Sequence, residues 1–209
     1  MLFITGFHAS GKTVAAEQLA ADYNLLYVET SALVKSAHQL DRPDLSIGAW
    51  ARLMEYNYGS SVFDDLIADY AIVAAIEAHE RRKPYADVLI SGNRSYDGIT
   101  HIGSRFEEYN DIIPTQREII HVNVPIELQY ERFRVRNRES GDSTMPYEQF
   151  LSDVIGSERE SGLEEIIKHA TRYIENDGDL TDFRHEVDRT ARDLRLTRRE
   201  YTYDRIPRV

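Results

Sequence analysis

Gly6-Phe7-His8-Ala9-Ser10-Gly11-Lys12-Thr13, GFHASGKT, directly follows the apolar run Leu2-Phe3-Ile4-Thr5. The stretch fits G-x-x-x-x-G-K-[ST], the pattern of a phosphate-binding loop. The spacing has a physical reason. A loop that wraps a phosphate turns successive backbone N–H groups inward as an anion nest. Gly6 and Gly11 permit backbone angles and close approaches that a Cβ would obstruct. Lys12 brings a point charge to the β- and γ-phosphates, and Thr13 offers a hydroxyl to Mg²⁺. A helix starting there directs its positive N-terminal end at the same phosphates. The apolar run before the loop and the amphipathic segment Val14–Tyr23 after it supply the strand and helix that the motif requires.

Outward from this loop, short apolar runs read as strands at Leu2–Thr5, Leu25–Glu29, Asp87–Ser91, Ile119–Val124 and Arg172–Glu175. Helical segments alternate with them at Val14–Tyr23, Ser31–Gln39, Asp64–Arg82, Leu128–Arg136, Tyr147–His169 and Leu180–Leu194. Ser31 is the expected N-cap of the second of these, and Asn176-Asp177-Gly178-Asp179 is a turn signal. The alternation predicts an α/β fold with a parallel sheet. Ligands collect at the C-terminal edges of such strands. That edge gathers the loop, Glu29, Ser91–Arg94, the arginines near 132–138 and the Asn176–Asp179 turn. Two insertions interrupt the alternation. One spans about residues 41–61 and contains Trp50, Tyr56 and Tyr58. The other spans about 137–146 and contains Gly141, Asp142, Ser143 and Thr144. Both sit where a clamp or lid would close over the loop.

The 209 residues suffice for one domain with a full core. A hydrophobic share of 42% is ordinary for a folded protein. The absence of cysteine excludes disulfides and thiolate metal sites. A strand at residue 2 leaves no room for a signal peptide, and no apolar run reaches membrane-spanning length, so a cytoplasmic protein is expected. The seven histidines show no metal-ligand spacing, and His8 and His121 read as structural. A net charge of −11 argues against general nucleic-acid binding. Against that background Arg132, Arg134, Arg136 and Arg138 stand out, as a local anion site or as a solvated helix face. Arg132 and Arg136 lie one helical turn apart and share a face. Arg134 falls on the opposite side, as a surface ion-pair residue, and Arg138 past the helix end.

These residues resemble the P-loop nucleoside and nucleotide kinases, with the adenylate kinase-like and dephospho-CoA kinase-like members nearest. SGNRS (Ser91–Ser95) is similar to their strand-three motif, ERFRVRNRESGD (Glu131–Asp142) to their lid entry, and ENDGDLTDFRHEVD (Glu175–Asp188) to their closing strand, turn and helix. The resemblance implies a three-layer P-loop NTPase fold: a five-stranded parallel sheet, helices on both faces and a short arginine-bearing lid. Residues 1–196 would form the kinase domain and 197–209 a polar tail. It implies transfer of the γ-phosphoryl of ATP, with Mg²⁺, to a small anionic acceptor by a monomer or homodimer. Gly6, Ala9, Ser10, Gly11, Lys12, Thr13 and Val14 would hold ATP, and Asn176, Asp177 and Gly178 would border the adenine. Arg132 and Arg136 would gather around the transferring phosphoryl group, a task that suits the planar guanidinium fork. Arg94 would hold an acceptor phosphate. Thr13 and Ser91 would face the metal, although many members carry an Asp where this chain has Ser91, and a serine brings no charge.

The acceptor divides the readings. A nucleoside monophosphate, the leading candidate, needs no general base. A hydroxyl acceptor (dephospho-CoA, a nucleoside, a hydroxymethylated pyrimidine) would make Glu29 the natural base. Otherwise Glu29 is a solvated strand end. DNA is disfavoured by the charge, although a local basic groove would suffice. Lys35 and Arg42 would reach an acceptor from the first insertion, or remain surface charges. Trp50, Tyr56 and Tyr58 would stack on a base, or pack the insertion. A nucleotide-dependent switch is the reading from another class.

Overall fold

The apolar runs form strands within a residue of the expected bounds, in a computed structural model that describes residues 1–83, 85–93, 95–114, 116–141 and 145–198. Arg94, Asp142, Ser143, Thr144 and the tail from 199 lie outside the described residues, as do the readings placed on them. In chain order the elements are β1 (Leu2–Thr5), α1 (Lys12–Tyr23), β2 (Leu25–Glu29), α2 (Thr30–Asp41), α3 (Ile47–Tyr58), α4 (Val62–Glu80), β3 (Asp87–Ser91) and α5 (Tyr96–Phe106). There follow β4 (Glu118–Asn123), α6 (Ile126–Ser140), α7 (Tyr147–Gln149), α8 (Ser157–Glu160), α9 (Leu163–Lys168), β5 (Arg172–Glu175) and α10 (Leu180–Asp193).

The strands form one five-stranded sheet in the order β2-β3-β1-β4-β5, and every pairing is parallel. Parallel neighbours need crossovers, and the crossover helices cover both faces. Side-chain alternation along β1 shows the three layers. Phe3 joins Ile67, Ile90, Ile102 and Phe106 under α4 and α5. Leu2 and Ile4 join Leu19, Leu89, Ile120 and Val187 under α1 and α10. Each such side chain contributes about 1.5–3 kcal/mol on burial. The strand order turns around β1, so the crevice above its C-terminal end is where a ligand fits, and the Gly6–Thr13 loop leaves the sheet there. Asp87 lies at the other edge, where it accepts a hydrogen bond from the Met1 amine at 2.6 Å. No helix among the described residues is long and apolar enough to cross a membrane.

Several local readings change. The helix after β2 starts at Thr30, with Glu29 in the N-cap position, and Ser31 Oγ donates to Glu29 Oε1 at 3.1 Å. Ser31 is therefore inside the first turn, because the strand passes into the helix with no linking residues. The first insertion contains the helix α3, capped by Ser46, whose Oγ accepts from Ala49 N at 3.2 Å. Between β3 and β4 the chain forms α5, capped by Ser95 accepting from Gly98 N at 3.0 Å. Its buried stripe of Ile99, Ile102 and Phe106 is interrupted by Gly98 and Gly103, which weakens the sequence signal. α6 runs on to Ser140, so Arg138 belongs to the helix and not to the segment beyond it. The single helix expected over Tyr147–His169 is broken into α7, a π-helical turn at Phe150–Gly156, α8 and α9. Gly162, in a left-handed conformation at φ 99°, separates the last two.

Candidate active site

The Gly6–Thr13 loop closes over the start of α1, where Ser10 N donates to Phe7 O at 3.1 Å. Gly11 sits at φ 91°, and a Cβ there would lie 2.5 Å from Asn176 Nδ2, so both backbone angle and space require glycine. Ala9 also takes a positive φ, 61°. Lys12 Nζ reaches back to Phe7 O at 3.3 Å.

Asn176 locks the loop from the β5 side. It is 5% exposed, and its Nδ2 donates to Ser10 O at 2.7 Å. Its Oδ1 accepts from Arg132 Nη2 at 3.1 Å, and the same nitrogen lies 3.5 Å from Gly178 O. Arg132 Nη1 is buried with no hydrogen-bond partner among the described residues. Burial lowers the pKa of this guanidinium, which nevertheless stays cationic. A cleft of about 290 Å³ opens here, bounded by Ala9, Gly11, Val14, Arg132, Asn176 and Phe183. It is largely apolar with a few polar groups, the lining common in small-molecule sites. Asp177 and Gly178 are exposed beside it, and Asp179 caps α10 by accepting from Thr181 N and Asp182 N at 2.7 and 2.9 Å. A larger groove of about 560 Å³ between α1 and α10 shares only Val14 with this cleft.

Arg136 serves the other end of the loop. Its Nη2 lies 2.8 Å from His8 Nε2. A guanidinium has no lone pair to offer, so the imidazole nitrogen is the acceptor. His8, read from the sequence as structural, meets an arginine of the candidate site through this bond. Its ring also packs edge-on against Phe133 at 5.6 Å. Position in the loop was the available signal, but nothing local to the sequence shows which residue of α6 or α8 would meet it. Arg132 and Arg136 do share a face, yet they separate along the loop, one at the Asn176 turn and the other at His8. Arg134 turns away and lies over the Tyr130 ring, 5.6 Å from its centroid.

The β2–β3 side has a different character. Glu29 is in register with Ser91, and Ser91 with Ile4. Ser91 is 2% exposed, and its Oγ is 3.1 Å from Tyr27 Oη. Since side chains alternate along a strand, Glu29 projects on the same face as Tyr27 and Ser91, the α1 face. At the mouth of α4, Asp65 accepts from Arg105 at 2.7 Å and lies 2.8 Å from His101, while Asp69 accepts from Arg105 at 2.6 Å. The half-buried Asp64 packs against the first turn of α5, so close that a Cβ on Gly98 would lie 2.7 Å from its Oδ1. Burial raises the Asp64 carboxyl above its ordinary pKa.

The first insertion holds together internally. Trp50 is buried, donates from Nε1 to Asp41 at 2.8 Å and packs against His38 and Phe63. Arg42 is bound bidentately by Asp44, with both distances at 2.9 Å. Tyr56 is 88% exposed, and Lys35 also faces solvent. No hydrogen bond or ion pair joins these four to the Gly6–Thr13 loop among the described residues. His121 is 4% exposed in β4, with its pKa pushed down by burial to about 4.

Solved structures share this fold across nearly the whole chain. A shikimate kinase from Bacteroides thetaiotaomicron matches with TM-score 0.51 at 16% identity, over 93% of this chain and 98% of that one. A sugar kinase from Janibacter matches with TM-score 0.53 at 14% identity, over 93% and 94%. A Thermus thermophilus protein matches with TM-score 0.53 at 19% identity, over 94% and 97%. No protein-family model matches the chain, and no curated protein does. At these identities the likeness establishes the fold, which is that of the P-loop kinases.

Proposed function

We propose that the protein is an ATP-dependent kinase that phosphorylates a hydroxyl of a small molecule. The observation that carries the reading is the meeting of cations from separate elements on one phosphate loop: Lys12 at Phe7 O and Arg136 at His8. Arg132 stands at the other end, with a buried guanidinium nitrogen still to be satisfied. Phosphoryl transfer asks the protein for positioning and for neutralisation of spread negative charge, and this arrangement offers both. The adenine would enter the slot beside Phe183, along Asn176–Gly178. The triphosphate would run from Arg132 over the loop amides towards Arg136.

Mg²⁺ would be carried in with the nucleotide, because its phosphates supply most of the ligands. Among the described residues there is no group of three or more acidic, histidine or cysteine side chains that could hold a metal alone. The Thr13 hydroxyl fits as a direct ligand, and Glu29, on the same face as the neutral Ser91, fits the ion's water shell. Bound there, the ion would neutralise charge on the β- and γ-phosphoryl oxygens.

Glu29 would also take the proton from the acceptor hydroxyl as its oxygen bonds to the γ-phosphorus. The bond from that phosphorus to the β–γ bridging oxygen breaks, and ADP leaves. Two observations support a hydroxyl over a phosphate acceptor. Glu29, the carboxylate at the end of β2, would repel a dianion placed beside it. The structural neighbours are named for shikimate and a sugar, both hydroxyl compounds. A nucleoside monophosphate remains the second reading, favoured by the position of Arg94 after β3 in the SGNRS motif.

The test is ADP release from MgATP across polyols, sugars, shikimate-like hydroxy acids, nucleosides, dephospho-CoA and all common monophosphates. Turnover with a hydroxyl compound is expected. Turnover restricted to one monophosphate would replace the first reading by the second. ADP with only free phosphate would move the protein to the switch class.

A further inference from the structure

Glu158, on α8, reaches into the phosphate loop: its Oε2 accepts from the backbone N–H of His8 at 2.7 Å. That N–H belongs to the same peptide unit as Phe7 O, which receives Lys12 Nζ at 3.3 Å and Ser10 N at 3.1 Å. One peptide plane is therefore held between an ammonium on its carbonyl side and a carboxylate on its amide side. Charged partners strengthen both hydrogen bonds and fix the orientation of the plane. The carboxylate does not arrive by chance contact of a surface chain. Phe150 and Ile155, in the turn before α8, pack with Phe133 against Phe7 and Ala9 of the loop. Arg159 lies over the Phe7 ring, 6.0 Å from its centroid. The arm carrying Glu158 is thus seated on the loop.

The position of this carboxylate along the loop matters. Asn176, Arg132 and Phe183 mark the nucleoside end, and Arg136 at His8 marks the opposite, terminal-phosphate end. Glu158 stands at His8. We propose that Glu158 sets how the loop distinguishes a nucleoside triphosphate from a diphosphate, by holding the Phe7–His8 peptide in the resting orientation and placing a negative charge where the third phosphate arrives. The proposal rests on the nucleotide-phosphate reading of the loop. Like charges at this range repel, and the cost falls on the phosphate nearest the carboxylate. Seating ATP then requires Glu158 to withdraw and Lys12 to leave Phe7 O. A rotamer change of the partly exposed Glu158 side chain suffices for that withdrawal. ADP, lacking the third phosphate, meets little of this barrier. Glu158 is a positioning residue in this scheme and takes no part in bond making.

The experiment is titration calorimetry of MgATP and MgADP on the full chain, for the wild type, Glu158→Gln and Glu158→Asp, with melting temperatures recorded alongside. Glu158→Gln is nearly isosteric and keeps an acceptor for His8 N–H while removing the charge. It is expected to tighten MgATP about tenfold and to change MgADP by less than about twofold. Glu158→Asp keeps the charge on a shorter stem and should fall between Gln and wild type in the ATP-to-ADP ratio. An unchanged ratio in Glu158→Gln overturns the proposal. So does an equal weakening of both nucleotides, which marks a plain structural strut. A wild type that binds neither nucleotide would overturn the phosphate-loop reading itself, and the two failures are thereby told apart.

Discussion

The β1–β5 side of the cleft is closed by buried polar contacts, whereas the β2–β3 side is lined by half-exposed carboxylates and a solvent-facing helix pair. On the first side, Asn176 holds Ser10 O at 2.7 Å and Arg132 at 3.1 Å, and Gly11 leaves no room for a Cβ. On the second, Glu29 has only Ser31 as its hydrogen-bond partner among the described residues, and Tyr56 on α3 is 88% exposed. Under the proposed kinase reading, the contrast matches the task of each side. A constant ligand such as the nucleotide rewards a preorganised cradle, because every donor is already aimed. An acceptor site that must admit and then enclose a small molecule keeps its polar groups accessible and its cover adjustable.

The sharpest way to break this comparison is Lys12→Ala. If the first side carries the charge neutralisation, transfer falls about a thousandfold or more, while circular dichroism and melting temperature stay near wild type. Retained turnover would remove the loop from the chemistry. Glu29→Gln probes the second side. With a hydroxyl acceptor, kcat should fall by about 10²- to 10⁴-fold with a modest change in KM. A kcat within a few-fold of wild type would instead indicate an acceptor that needs no base.

Asn176→Ala returns to the first side and measures its preorganisation. Removing the amide leaves Ser10 O without its 2.7 Å donor and Arg132 Nη2 with only the 3.5 Å contact to Gly178 O, at a cost of about 1–3 kcal/mol. The loss should register as lowered nucleotide affinity and a lower melting temperature. His121, beneath the loop in β4, gives a pH test of the shared sheet. Its imidazole is held neutral to about pH 4 by burial, against about 6.5 in an unfolded chain. Between those values the unfolded chain binds more protons, so stability falls as pH drops from about 6.5 to 4 and levels off below. The full span is about 3 kcal/mol, and about 2 kcal/mol of it is lost between pH 7 and 5. Urea unfolding at the two pH values checks this, and His121→Leu should flatten the dependence from that site.

Each of these runs became a strand because a short segment centred on apolar residues and bounded by turn residues has few other ways to bury itself. The helices were harder. α5 buries Ile99, Ile102 and Phe106 through two glycines that lower its propensity, and packing against α4 overrides them. α3 exposes most of its apolar residues, so no clean stripe announces it. At the candidate site, Gly11 was legible because its positive φ and its closeness to Asn176 admit only glycine. Arg132 and Arg136 were legible as a pair, since four residues make one helical turn.

By itself, then, the sequence determined the α/β alternation, the tight glycine-bearing loop after β1 and the pairing of two arginines on one face. These are local matters, set by periodicity and by the few residue types that a tight anion nest tolerates. Only the tertiary structure decided that Arg132 serves the Asn176 end and Arg136 the His8 end. It alone brought Asn176 to Ser10 across 166 positions and Glu158 to His8 across 150. It also put Glu29 beside Ser91 on one face of the sheet. Such meetings depend on strand order and on how helices pack over the sheet, quantities that arise from the whole core and that no short stretch of chain encodes.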